Sequence, residues 1–218
     1  MLILCDFDGT VTVHDTNSYL SERFAPDAFN AWDGKLTGGK ATLREVLSAE
    51  AAGMTAGSAA IVEAAVAGIE MRAGFREFVA LCAAQGDELV LLSAGFRQLI
   101  EPMLEGWGLG GVLELIANDI AYTSEGGTVT WRDVPVCDQC DEPCKRGEVD
   151  VLRARSGNGE PVVYIGDGYS DRCGAETADV IIARAHLASY LDERGVEYNA
   201  FETFFDVACI LEKVRVST

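Results

Sequence analysis

The chain lacks any apolar run of about 18 residues, the length a membrane-spanning helix needs, so it is not expected to cross or associate with a membrane. It is short of positive charge: 17 Lys and Arg stand against 35 Asp and Glu, giving a net charge of -18 over 218 residues. The basic residues are dispersed, and a nucleic-acid backbone requires clustered cations, so a nucleic-acid partner is disfavoured. Proline is rare, at 5 residues, and there is neither an internal repeat nor a low-complexity tract. With 49% hydrophobic residues, a chain of this length buries a full core and fits one α/β domain with an insertion. Only Met1 precedes the first apolar run, which leaves no room for a signal peptide and makes the cytoplasm the expected compartment. None of these features bears on oligomeric state.

What is present is concentrated at the ends of apolar runs. Leu2-Ile3-Leu4-Cys5 reads as a buried strand and runs into Asp6-Phe7-Asp8-Gly9-Thr10-Val11-Thr12. Side chains two apart on a strand point the same way, so Asp6 and Asp8 are expected to face one spot roughly 7 Å apart along the backbone. Gly9 and the two threonines supply a turn with free amides and hydroxyls, at the strand end where open α/β sheets bind ligands. Paired carboxylates there suit a hard cation such as Mg²⁺ and, beside it, a phosphate.

A second run, residues 161–165, ends in Gly166-Asp167-Gly168-Tyr169-Ser170-Asp171. The glycines on either side of Asp167 permit close backbone approach to a ligand. A third run, residues 89–92, ends in Ser93-Ala94-Gly95-Phe96, a hydroxyl and a glycine turn at the start of the next helix. Lys145 is the first strong cation after a long stretch without one, and it opens the helix before the Gly166 strand. It would offset the charge of a phosphate.

Strand-Asp-x-Asp-Gly-Thr-x-Thr, strand-Ser-x-Gly, Lys and strand-Gly-Asp-Gly-x-x-Asp, in that order, resemble the four-motif signature of the haloacid dehalogenase superfamily of phosphatases. The resemblance spans nearly the whole chain. It implies a Rossmann-like three-layer α/β/α core with a mostly parallel sheet, and a Mg²⁺-dependent phosphomonoesterase acting on a small phosphorylated metabolite. It further implies Asp6 as the nucleophile forming an aspartyl-phosphate and Asp8 as the general acid and later the base. Mg²⁺ would be held by Asp6, the Asp8 carbonyl and Asp167, with Asp171, Thr10 and Gly168 in support. Ser93, Gly95 and Lys145 would hold the phosphate oxygens. A phosphotransferase using the same intermediate, or a non-catalytic metal- or metabolite-binding protein, stands as the alternative.

Residues 15–72 lack strand patterns and read as three helices near 16–25, 40–52 and 58–71, rich in Ala, Leu, Glu and Met. A helical insertion directly after the first strand resembles the small cap of the phosphoserine phosphatase branch. The expected division is a core of residues 1–14 and 73–218 with a cap of 15–72. Glu22 and Arg44 are its candidates for touching substrate. Downstream, residues 113–118 read as a strand and 119–131 as a hairpin turning around Glu125-Gly126-Gly127-Thr128. Strands near 179–183 and 196–199 and helices near 185–194 and 202–214 complete the reading.

Gly74-Phe75-Arg76-Glu77-Phe78, Ser93-Ala94-Gly95-Phe96, Asn118 and a cysteine cluster abutting Lys145 resemble a narrower group. These are the methionine-salvage phosphatases of 2-hydroxy-3-keto-5-methylthiopentenyl-1-phosphate and the related phosphoethanolamine and phosphocholine phosphatases. Phosphoserine and pyridoxal phosphate are further candidate substrates, and Asn118 joins the candidate substrate residues. The cluster, Cys137, Cys140 and Cys144, reads as a structural Zn²⁺ site, a redox site or a reduced packing loop. Tetrahedral zinc needs four ligands, and only His14 or Asp138 suggests itself as the fourth. Cys5, Cys82, Cys173 and Cys209 read as buried small residues, and an odd total of 7 cysteines argues against a disulfide framework.

Overall fold

The computed structural model describes residues 1–32, 34–157 and 159–217. Its strands are β1 (Leu2–Cys5), β2 (Glu88–Phe96), β3 (Glu114–Thr123), β4 (Gly126–Thr130), β5 (Val162–Gly166), β6 (Val180–Ala183) and β7 (Asn199–Ala200). They form a seven-stranded sheet in the order β4-β3-β2-β1-β5-β6-β7. Every pairing is parallel except β3 with β4. The helices are α1 (Thr16–Phe24), α2 (Pro26–Trp32), α3 (Leu43–Gly53), α4 (Ser58–Gly68), α5 (Phe75–Gln85), α6 (Arg97–Gly106), α7 (Arg146–Ser156), α8 (Arg172–Ala175), α9 (Ala185–Arg194) and α10 (Phe204–Ser217).

A central parallel strand is buried on both faces and therefore reads as a continuous apolar run. Ile3 and Cys5 of β1 join one hydrophobic cluster, with Phe75 and Phe78 of α5, Leu99 and Met103 of α6 and Phe204 of α10. Leu2 and Leu4 point the other way, into a cluster with Val149 and Leu152 of α7 and Leu187 and Leu191 of α9. These two clusters are the inner faces of a three-layer α/β/α sandwich, the architecture expected from the motif order. Each fully buried aliphatic side chain contributes about 2 kcal/mol, so β1, enclosed on both faces, is a firm platform for the loop that leaves its carboxyl end.

Helices α1–α4 all lie between β1 and α5. The chain enters and leaves this insertion side by side, with Val13 N–H donating to the Glu70 carbonyl (2.9 Å) and Arg72 N–H to the Val11 carbonyl (2.7 Å). Among the described residues, four helices take the place of the three expected. Ala25 breaks α1 with an extended φ of -143°, and Pro26 opens α2 at the position where its missing N–H costs nothing. α3 begins on a capping box in which Thr42 and Glu45 satisfy each other's backbone amides.

The hairpin also differs from its sequence reading. β3 is one long strand that pairs with β2 along its first half and β4 along its second. Its turn falls at Ser124-Glu125, and Gly126 and Gly127 lie inside β4. A Cβ on Gly127 would sit 2.8 Å from the Ala51 carbonyl oxygen of α3. These glycines serve the close approach of a helix rather than the turn. At the other edge β7 starts at Asn199 rather than 196, and α10 starts at Phe204 rather than 202.

Candidate active site

β1, β2 and β5 are neighbours in the sheet and end at the same edge, so the three motif loops converge. β1 stops at Cys5, but Asp6 stays tied to the sheet through its N–H to the Ile165 carbonyl (2.9 Å). Asp8 lies past the strand, in the turn. Gly9 makes that turn at φ +79°, and a Cβ there would collide with the Asp167 carboxylate. Arg72, buried beneath the loop, donates to the carbonyls of Thr10 (2.7 Å), Gly9 (2.6 Å) and Thr12 (2.9 Å). The loop's carbonyls are thereby satisfied from below, Phe7 and Val11 anchor it in the hydrophobic core, and Asp6 and Asp8 line the cleft.

Lys145 stands immediately ahead of α7 and is 2% exposed. Its Nζ lies 2.5 Å from Asp6 Oδ1 and 2.7 Å from Asp171 Oδ1. Asp171 is fully engaged: Oδ1 also accepts the Tyr164 hydroxyl (2.8 Å), and Oδ2 accepts the N–H groups of Asp167 (3.0 Å) and Gly168 (2.8 Å). It orients Lys145 and the Asp167 loop together. Thr10 Oγ1 donates to Asp167 Oδ1 at 2.8 Å. Ser93 Oγ accepts from Gly95 N–H at 2.8 Å and reaches Asp8 Oδ2 at 3.4 Å. A Cβ on Gly95 would lie 2.5 Å from that same oxygen. Asp8 Oδ1 accepts from Thr16 N–H (3.3 Å), which ties it to the first residue of α1.

The electrostatics arise from crowding acids at a dry strand edge. Burial, and then the charge of Asp171, push the Asp6 carboxyl well above the usual range, while Lys145 opposes them. Asp8 is pushed up to about 7, first by burial and then by Asp15. Asp167 is pushed up to about 6, first by burial and then by Asp171. Burial favours the neutral amine of Lys145, but Asp171 and Asp6 outweigh it and hold its pKa above the ordinary lysine value.

Carboxylate oxygens of Asp6, Asp167 and Asp171 lie within 4.8 Å of one another. Since Asp171 is spent on Lys145, Tyr164 and two amides, Asp6 and Asp167 are the open donors. A hard, all-oxygen donor set of this charge fits Mg²⁺.

Above these residues lies a cleft lined by Asp6, Asp8, Asp167 and, from the insertion, Leu43 and Leu47. It shares Leu43, Ala94, Tyr169 and Ser170 with a second cleft on the Lys145 side. Arg44 lines the second cleft, donates to the Arg132 carbonyl (3.2 Å) and lies 5.1 Å over the Trp131 ring. Asn118 lines it too, donating to the Ala94 carbonyl (2.8 Å) and accepting Arg132 N–H (3.1 Å). Glu22 is exposed on α1 and lines neither cleft.

Several residues of the site escaped the sequence reading. Arg132 reaches back to the Ser93 carbonyl (3.2 Å) and pairs with Glu148. Arg72 and Tyr164 act beneath the loops. A helix-flanking arginine and a strand tyrosine carry no local signal of such roles. Cys173, read from the sequence as a buried packing residue, is the largest correction: its sulfur lies within 4.8 Å of those of Cys137, Cys140 and Cys144, for which the sequence showed no evident local fourth partner. Its signal was position, two residues beyond Asp171. Cys209, expected to be buried, is exposed on α10.

The model of the family described as haloacid dehalogenase-like hydrolase matches residues 3–176. The chain is 30% identical over 220 residues to a 2-hydroxy-3-keto-5-methylthiopentenyl-1-phosphate phosphatase of Brevibacillus brevis, covering 99% of this chain and 96% of that one. It is 29% identical over 218 residues to the phosphatase of the same name from Geobacillus kaustophilus, covering 99% and 97%. Among solved structures, a phospho-aspartyl intermediate analogue of phosphoserine phosphatase superposes with a TM-score of 0.70 at 18% identity, covering 97% of each chain, which is a likeness of fold.

Proposed function

This chain belongs to the haloacid dehalogenase-like hydrolase family, and we propose that it is a phosphatase that removes phosphate from a small metabolite through a phosphorylated Asp6. The observation that carries the mechanism is geometric: Asp6 is bridged at 2.5 Å to the buried Lys145, which favours its ionised form against the burial that raises it, while Asp8, held by Thr16 N–H and Ser93 at the same edge, is raised to about 7. Two carboxyl groups whose surroundings hold them in different environments can divide nucleophile and acid between them.

In this reading Asp6 attacks phosphorus, an oxygen–phosphorus bond forms and the bond to the leaving oxygen breaks. Asp8 gives that oxygen its proton. The Asp8 carboxylate then takes a proton from water, which attacks the acyl-phosphate and frees Asp6. Ser93, the Gly95 amide and Lys145 bind and orient the phosphate oxygens, and Lys145 compensates their charge. Mg²⁺ held by Asp6, the Asp8 carbonyl and Asp167 would supply the remaining positive charge. Asp171, with Thr10 and Gly168, keeps Lys145 and Asp167 in register.

Residues 15–72 serve as the cap in this proposal, and the second cleft as the leaving-group pocket. Leu43, Trp131, Val134 and Pro143 give it an apolar wall, and Arg44, Arg132 and Asn118 give it polar groups. That mixture suits a metabolite with a thioether tail and oxygen substituents, and the names of the curated relatives support 2-hydroxy-3-keto-5-methylthiopentenyl-1-phosphate as substrate. The test is phosphate release, with Mg²⁺ and with EDTA, from this compound, phosphoserine, phosphoethanolamine, phosphocholine and pyridoxal phosphate. We expect EDTA-sensitive release and a kcat/KM preference for the enol phosphate of about 100-fold, equivalent to about 2.7 kcal/mol. A flat profile would remove the substrate, and metal-independent release would remove the mechanism.

A further inference from the structure

Cys137, Cys140 and Cys144 belong to the loop that leads into Lys145, and Cys173 belongs to α8, just beyond Asp171. Packing brings their four sulfurs within 4.8 Å of one another. Four sulfurs held about 2.3 Å from a common zinc at tetrahedral angles lie roughly 3.8 Å apart, so a contraction of about 1 Å closes the site. We propose that these four cysteines bind one structural zinc ion, which staples the segment carrying Lys145 to the segment carrying Asp171.

The loop is shaped for this. Cys137 N–H donates to the Glu142 carbonyl and Asp141 N–H to the Cys137 carbonyl, both at 2.9 Å, closing a tight knuckle in which Asp141 takes the left-handed φ of 57°. Gln139 N–H points at Cys137 Sγ (3.4 Å), the direction from which an amide stabilises thiolate charge. Cys137 and Cys173 are each 7% exposed, while Cys140 and Cys144 are half-buried on the wall of the second cleft. Binding converts four thiols to four thiolates with release of four protons. Arg146 and Arg172, next in sequence to the lysine and to Cys173, supply nearby positive charge.

The placement gives the ion a task. Lys145 meets Asp171 at 2.7 Å, and the Asp171 carboxylate holds the Asp167 and Gly168 amides. A cross-link through Cys144 and Cys173 fixes both ends of this pair. A loop with little secondary structure of its own is thereby held to the sheet edge. This is a positioning role, exerted through Lys145 and Asp171.

The test measures metal content rather than turnover. Protein purified without added metal is analysed by inductively coupled plasma mass spectrometry, with native and denatured thiol titration and intact mass. The expected result is about one zinc per chain, four thiols that react only after chelation in denaturant, and a fully reduced mass. Cobalt exchanged into the site should show thiolate-to-cobalt charge transfer and tetrahedral ligand-field bands. Cys173→Ser should lose most of the zinc and unfold at lower temperature, while Asp167→Asn and Cys209→Ser keep it. If Cys173→Ser does not fold, the zinc count and cobalt spectrum of the wild type decide alone. A chain without zinc after zinc loading, a mass short by two hydrogens per disulfide, or zinc lost in Asp167→Asn but retained in Cys173→Ser would each overturn the proposal.

Discussion

In the floor of the cleft, Asp6, Asp8 and Asp167 follow the ends of β1 and β5 and Ser93 lies near the end of the adjacent β2, whereas in its roof Leu43, Arg44 and Trp131 come from a helix and a hairpin strand end brought together by packing. Strands of the floor run through both hydrophobic clusters; Leu2, Ile3, Leu4 and Cys5 are all fully buried. A displacement there would open voids on two faces of the sheet. The roof is anchored on one side, by apolar residues such as Leu20, Met54, Ile61 and Ala65 that join the α5–α6 cluster. Its outer surface carries Ala, Gly and charged residues. In the proposed function, the chemistry sits on the doubly enclosed part, and the surface facing the leaving group on the part anchored on one side.

Substitutions should separate the two regions. Asp6→Asn is expected to have the largest effect, lowering kcat by at least about 10³-fold because the amide is a poor nucleophile. Circular dichroism should stay close to that of the wild type. Retention of more than a few per cent of activity would place the chemistry elsewhere and dissolve the contrast.

The next effect is that of pH on Asp8. In the proposed mechanism the first step requires Asp8 as the protonated acid, so kcat/KM should fall about tenfold per pH unit above about 7, and Asp8→Asn should abolish that limb along with most turnover. Stability carries the same sign. A carboxyl raised from 3.8 to about 7 on folding favours the native state fully below 3.8, and this contribution is lost as pH rises through 7. In metal-free protein, Asp8→Asn should therefore raise the urea midpoint relative to wild type at pH 8, with the gain vanishing near pH 4. A pH-independent difference would mean that charge at Asp8 is not the cause.

In the roof, Arg44→Ala should have the smallest effect. It removes the donor to the Arg132 carbonyl and the face over Trp131. A rise in KM of about tenfold with kcat within about twofold is the signature of lost uniform binding. A matching fall in kcat would instead join Arg44 to the chemistry of the floor.

Legibility followed the same division. Leu2–Cys5 and Val162–Gly166 were readable because a doubly buried strand must be apolar throughout, and the glycines after them mark loops that approach one another closely. Gly126 and Gly127 misled for the complementary reason. A pair of glycines signals a hairpin turn, yet here it accommodates the Ala51 and Ala52 carbonyls of α3, a contact that no local pattern announces. α2 was missed because Pro26 reads as a stop when it is also a start.

The sequence alone determined the sheet-forming runs, the order of the motif loops and the residues at their tips, since each depends on neighbours within a few positions. Tertiary structure decided which groups meet: Lys145 with Asp6 across 139 positions, Arg72 with the Gly9 loop, Arg44 with Arg132, and Cys173 with the other three cysteines. Strand periodicity and turn chemistry act within a few residues. Contacts between distant segments are set by how whole helices and strands pack, and that packing buried Asp6 and brought Asp171 beside it, the two largest causes that raise its pKa.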